Sequence, residues 1–222
     1  MDDFAYFASH DLKEPLRGIH NFSSIIIEDY EDKLDSQGKD KLDTLIRLTT
    51  RMESLINDLM YFSRVGRTEI KREDTDLNLL LSDITDSLQF SISEKQIDIR
   101  IPQELPIVSC DRVGIKEVFH NLLTNAIKYN DKEEKWVEIG CQSQNGIDAS
   151  QIFYVRNNGI GIREKHMESV FRIFKRLHGQ NKFGGGTGAG LTIVKKIIQR
   201  HDGQIWIEST FKQGTTFYFT IN

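Results

Sequence analysis

From Ala5 to about Tyr30, apolar residues recur in steps of three and four, at Ala5, Ala8, Leu12, Leu16, Ile19, Phe22 and Ile26. That spacing predicts a helix with one buried stripe. A polar stripe runs at the same interval through His10, Glu14, Arg17, Asn21, Ser24 and Glu28, which puts His10 on the wet side. Pro15 falls inside the pattern and should bend it locally, because it removes a backbone donor and crowds the preceding turn. The polar stretch Asp32 to Gly38 reads as a hairpin turn. Beyond it, Leu42, Leu45, Thr49, Met52, Ile56, Leu59 and Phe62 repeat the spacing, widened by Leu48 and Leu55. Two such helices cannot cover both apolar faces by themselves. A second copy would complete a four-helix bundle, so a homodimer is expected.

Charged residues take over from Arg64 to Asp76, which predicts a hinge at 67–75 between residues 1–66 and 76–222. Leu77 to about Glu94 then reads as one helix and Ile97 to Ile101 as a strand. Asp111 is placed to cap a helix running to about Asn130. Val137–Gln142 and Ile152–Arg156 alternate as strands. A helix from Gly188 to about His201 and strands Gln204–Ser209 and Thr215–Ile221 close the pattern. The fold class expected is α+β in two domains: a helical hairpin forming a dimeric bundle, followed by an α/β sandwich.

Composition narrows this picture. At 222 residues the chain is long enough for two cores, and 38% hydrophobic content fits globular domains without a membrane span. No apolar run of about 18 residues occurs, so membrane contact is not expected, and no signal peptide opens the chain. A formal net charge of −4 argues against a broad nucleic-acid surface. Cys110 and Cys141 are too few and too far apart for a disulfide framework or a zinc site, which favours reduced thiols and a cytoplasmic setting. The helical pattern starts only nine residues before His10, so an upstream sensory segment is expected to be missing.

Four clusters hold candidate chemistry. His10 is nucleophilic when neutral, and Asp11 beside it can accept the other ring proton if its rotamer permits. Asn121 and Asn125 lie one turn apart on one helix face; Asn125 could supply a neutral oxygen to magnesium, and Lys128 could offset phosphate charge. On residues alone, these are equally a helix surface. Asn158-Gly159-Ile160-Gly161-Ile162 follows a strand and fits a turn that brings backbone close to a flat ligand, or simply ends the strand. The stretch Gly184 to Leu191 supplies glycines at 186, 188 and 190 leading into a helix, a potential phosphate nest. It lacks the Gly-Lys-Ser/Thr ending of a Walker loop and follows no strand as a Rossmann turn would. Between the glycine clusters, Phe171, Phe174, Lys175, Arg176, His178 and Lys182 form an aromatic and basic segment.

Taken in order, these residues resemble the catalytic core of a sensor histidine kinase, over nearly the whole chain. Ser9-His10-Asp11-Leu12-Lys13-Glu14-Pro15-Leu16 is similar to the phosphoacceptor box of phytochrome-like and other soluble sensors. The resemblance implies an ATP-binding domain of the gyrase, chaperone and histidine-kinase type. It implies that His10 is phosphorylated with Asp11 assisting. ATP and Mg2+ would be held by Asn121, Asn125, Lys128, Tyr129, Asn157, Gly159, Gly161, Arg176, Gly186, Gly188, Gly190 and Leu191, with Asn125 on the metal. Phe171 and Phe174 would anchor a lid. The partner implied is the receiver domain of a response regulator. Two positions depart from the family pattern. Glu14 stands where many relatives carry Thr or Asn, so strong phosphatase activity is not expected. Asn157 stands where an aspartate usually accepts the adenine amino proton. Losing that charge would cost on the order of 1–2 kcal/mol, about ten-fold in ATP affinity. An ATP-binding but kinase-impaired scaffold is the alternative; a clamp-type ATPase fits less well, because Asn121 stands where a hydrolytic glutamate would be needed.

Overall fold

A computed structural model describes residues 2–66, 69–143, 151–177, 183 and 185–222, with the side chains of 2–10 and 143 excepted. The chain divides into two compact units, residues 1–67 and 68–222.

In the first unit, α1 (Asp2–Tyr30) and α2 (Ser36–Val65) form a hairpin through a single 3-10 turn at Glu31–Lys33. Pro15 lies inside an unbroken α1. Asp35 caps α2 by accepting from the Gly38 amide at 2.7 Å, satisfying a donor that a helix start leaves free. Leu16, Ser23, Thr49 and Ile56 are buried along the seam. The Ser23 hydroxyl donates to the Ile19 carbonyl at 2.7 Å, so its burial leaves no polar group unpaired. Leu12, Ile19, Phe22, Ile26, Leu45, Leu48, Met52 and Leu59 remain exposed on the hairpin.

The second unit places helices against one face of a five-stranded sheet ordered β2-β4-β5-β7-β6. Its strands are β2 (Ile97–Arg100), β4 (Lys135–Ser143), β5 (Gln151–Asn157), β6 (Ile205–Thr210) and β7 (Gly214–Thr220). β2 runs parallel to β4 and the other pairs are antiparallel. Alternation buries Phe153 and Val155 of β5 with Phe217 and Phe219 of β7. Phe119, from α5 (Arg112–Lys128), meets Phe219 edge-on at 5.4 Å. The Asp111 side chain caps α5 through the Val113 amide at 3.1 Å.

Three sequence expectations change. The single helix expected over Leu77–Glu94 is two, α3 (Leu77–Ser87) and α4 (Gln89–Lys95), parted at Leu88. Thr85 and Ser87 turn their hydroxyls back onto carbonyls of the preceding turn, at 3.0 Å to Leu81 and 2.7 Å to Ile84. Such bonds loosen a helix where they occur. A two-stranded ladder, β1 (Glu73–Asp76) with β3 (Ile107–Cys110), was not anticipated; it takes residues 73–75 out of the expected hinge. The last helix, α6 (Gly190–Arg200), starts two residues later than expected, because Gly188 has φ +84. At the start of this unit, Arg72 donates to the carbonyl of Asn222 and pairs with Asp202 at 3.4 Å. Among the described residues, no helix is long and apolar enough to cross a membrane.

Candidate active site

Helix α5 supplies the first wall. Its apolar face is fully buried through Ile115, Val118, Phe119, Leu122 and Leu123, which turns Asn121, Asn125 and Lys128 towards a cavity of about 300 Å³. The Asn121 amide nitrogen donates to the Glu117 carboxylate at 2.6 Å and to the Glu117 carbonyl at 3.0 Å. Its oxygen therefore faces the start of α6: a Cβ on Gly190 would meet it at 2.3 Å. Asn125 lines the same cavity with its amide oxygen available among the described residues. Lys128 donates to the Gly185 carbonyl and lies 5.1 Å over the Tyr129 ring. Burial first, then the charges of Arg176 and Lys95, holds its ammonium below the usual lysine range. Burial also pushes the Tyr129 phenol up.

The turn after β5 supplies the floor. Asn157, nearly buried, accepts from the Gly159 amide at 2.9 Å. The Ile160 amide then reaches the Tyr129 carbonyl at 3.0 Å, and the Ile160 carbonyl receives the Lys212 amide at 2.7 Å. Glycine is required at both glycine positions. A Cβ on Gly159 would stand 2.3 Å from the Tyr129 oxygen, and one on Gly161, at φ +66, 2.1 Å from the Thr210 oxygen. Asn158 fastens the turn from behind, accepting from Asn130 at 2.8 Å and from the Trp136 amide at 3.0 Å.

The glycine loop and the segment before it close the cavity. Gly186, Gly188, Gly190 and Leu191 line it beside Lys175 and Arg176. Phe171 is anchored: its ring meets Phe217 edge-on at 6.4 Å and its carbonyl accepts from Thr192 at 2.9 Å. Phe174 has φ +58 and is 39% exposed. His178, Lys182 and Gly184 lie outside the described residues.

Eleven of the twelve residues expected to hold nucleotide thus line one cavity; Gly159 lies just beneath it, against the Tyr129 carbonyl. Thr124, Thr187 and Thr215 line it too and were not anticipated. Glu117 was also missed, although it sits one turn before Asn121 on the same face. Lys128, Lys175 and Arg176 give the cavity a cationic side suited to phosphates, while Ile160, Ile162, Val170 and Leu177 give an apolar side suited to a flat base. Among the described residues, no group of three or more His, Cys, Asp or Glu gathers to hold a metal. A divalent cation here would draw its oxygens from Asn125 and a bound polyphosphate, a ligand set that suits magnesium. His10 lies on α1 in the other unit, followed by the exposed Asp11.

Residues 110–222 match the family described as histidine kinase-, DNA gyrase B- and HSP90-like ATPase, and residues 1–68 match the His kinase A (phospho-acceptor) domain. The chain belongs to the sensor histidine kinases. It is 60% identical over 221 residues to cyanobacterial phytochrome B of a Nostoc species, covering 100% of this chain and 29% of that protein. The chain therefore spans less than a third of that relative's length. The histidine-kinase fold recurs in full-length ShkA in complex with AMPPNP, at TM-score 0.74 and 22% identity, covering 100% of this chain and 46% of that one. It recurs again in histidine kinase ThkA in complex with the response regulator TrrA, at TM-score 0.66 and 23% identity, covering 99% and 62%. At such identities, the two structures speak to the fold.

Proposed function

We propose that this chain is a histidine kinase core that moves the γ-phosphoryl group of ATP to His10, and from there to an aspartate on a response-regulator receiver domain. The observation that carries the reading is convergence. Residues from α5, from the turn after β5 and from the glycine loop, far apart in sequence, share one cavity with a cationic and an apolar side. The other unit, of the phosphoacceptor type, contributes His10.

In this mechanism a ring nitrogen of neutral His10 attacks the γ-phosphorus as the bond to the bridging oxygen breaks, and ADP leaves with that electron pair. The proton on the other ring nitrogen passes to Asp11. Lys128 and Arg176 stabilise phosphate charge, and the amides around Gly186 and Gly188 cradle it. Asn125 would hold a magnesium ion, which would supply positive charge against the polyphosphate. Asn121 is oriented by Glu117 so that its oxygen stays on the phosphate side. The two units must meet for transfer, and the connection after α2 would serve as the hinge. The exposed stripe of the hairpin supports a homodimer, and the need for ATP and a receiver partner supports a cytoplasmic setting. The response regulator bound to ThkA supports the choice of partner. The kinase-impaired alternative, raised by Asn157 alone, gains no support from the family matches and is not retained.

Transfer of label from γ-labelled ATP tests the reading. Wild type should gain an acid-labile, base-stable label that His10→Gln abolishes. Label that survives His10→Gln, or that resists acid, would reject it.

A further inference from the structure

The amine of Lys128 is held at one spot in the cavity. It donates to the Gly185 carbonyl, and a Cβ added to Gly186 would stand 2.7 Å from Nζ. The Tyr129 ring lies 5.1 Å from it. Nζ therefore sits against the glycine loop, where Gly186 and Gly188 take positive φ and both line the cavity. Backbone amides in such a turn form a concave donor surface that seats a phosphate. Lys175 and Arg176 line the same cavity.

The setting of this amine differs from that of an ordinary surface lysine. Lys128 is half-buried on α5, and the charges acting on it, from Arg176 and Lys95, are both positive. Burial and neighbouring cations favour the neutral amine, which alone is nucleophilic. Lys175 lines the same cavity but is exposed. Lys116, also exposed on α5, lies 4.0 Å from the Asp83 carboxylate. A phosphate seat beside a nucleophilic amine suits a reagent that carries phosphate and an electrophilic carbon together.

We infer that Lys128 is a modification site for acyl phosphates: the glycine loop seats the phosphate, and the acyl group passes to Nζ. The inference rests on the phosphate-binding part of the reading above. The Nζ lone pair attacks the acyl carbon and forms an N–C bond, while the bond from that carbon to the phosphate oxygen breaks. Its electron pair leaves with inorganic phosphate, which also takes the proton released from Nζ. The product is a neutral amide that no longer offsets phosphate charge, so a modified copy binds ATP about ten-fold or more weakly. Nucleotide and acyl phosphate exclude each other, so a fall in ATP opens Lys128 to modification.

Treating the full chain with acetyl phosphate and mapping acetylated lysines over time by mass spectrometry tests this without any variant. Lys128 should react at least about ten-fold faster than Lys175 or Lys116, because a reagent held beside its target gains effective concentration. Acetic anhydride has no phosphate to seat, so the margin should shrink with it. ADP should slow the reaction at Lys128 and leave Lys116 unchanged. Acetylation of Lys128 no faster than of Lys175, or an equal margin with both reagents, overturns the inference. So does a rate that ADP leaves unchanged in protein that labels His10. Labelling of His10 from γ-labelled ATP, recorded on the same preparation, keeps the two ideas apart. His10 labelled without selective acetylation ends only the acyl-transfer claim; selective acetylation with no slowing by ADP and no label on His10 ends only the kinase reading.

Discussion

Gly159 shows how little room the turn beneath the cavity has. Its Cα faces the Tyr129 carbonyl, which already receives the Ile160 amide at 3.0 Å, so a methyl group at 2.3 Å must push α5 and the turn apart. Gly159→Ala should cost about 1–3 kcal/mol of stability by overpacking and weaken nucleotide binding by about ten-fold or more, as that cost converts to affinity. Thermal unfolding and nucleotide titration of the same preparation check both halves. At this scale, the residues legible in the sequence were those whose chemistry is local. Asn121, Asn125 and Lys128 share a helix face by spacing alone, and glycines announce unusual backbone. Thr215 carried no such signal, since it reaches the cavity only through its register with Asn157 on a neighbouring strand. The positive φ of Phe174 likewise leaves no mark in composition.

Among the elements, α3 begins at a cap that joins several segments. Asp76 accepts from the Asn78 amide at 2.8 Å and from the Asn78 side chain at 3.0 Å. That side chain in turn donates to the Leu105 carbonyl and accepts the Leu105 amide, each at 2.8 Å. The Asn78 backbone amide, followed by its side chain, holds the Asp76 carboxyl below its ordinary value of 3.8. A carboxylate with a depressed folded value contributes stability that is present above the ordinary value and is lost as pH falls through the folded one. Asn caps as well as Asp but does not titrate. Asp76→Asn should therefore be less stable than wild type near neutrality, with the gap closing below about pH 4. Urea unfolding of both proteins across that range would expose an error if the gap stayed constant. β1 escaped the sequence reading for a related reason. Glu73-Asp74-Thr75-Asp76 has no hydrophobic alternation, and only backbone pairing with β3 and the burial of Thr75 make it a strand. The long helices α1 and α2 were legible because repetition over many turns outweighs any single residue.

For the whole molecule, the hairpin matters most for what it leaves uncovered. Phe22 is 69% exposed in the middle of a stripe that also presents Leu12, Ile19, Met52 and Leu59. If a second copy covers it, Phe22→Glu should raise the dimer dissociation constant by about ten-fold or more, as expected for a central aromatic anchor. Sedimentation equilibrium measures this directly, and an unchanged constant would place the dimer contact elsewhere. Nucleotide binding by the second unit should be unaffected. That unit has one further property, in the way Arg72 grips the carbonyl of Asn222 and pairs with Asp202. Its entrance and exit are neighbours, as the two ends of compact domains often are. A few residues of polar linker would join them into a circle, and the chain could then be reopened at an exposed loop. A protein engineer could also lift the unit out as a cassette and set it into a surface turn of an unrelated host, which would need to supply only two adjacent attachment points.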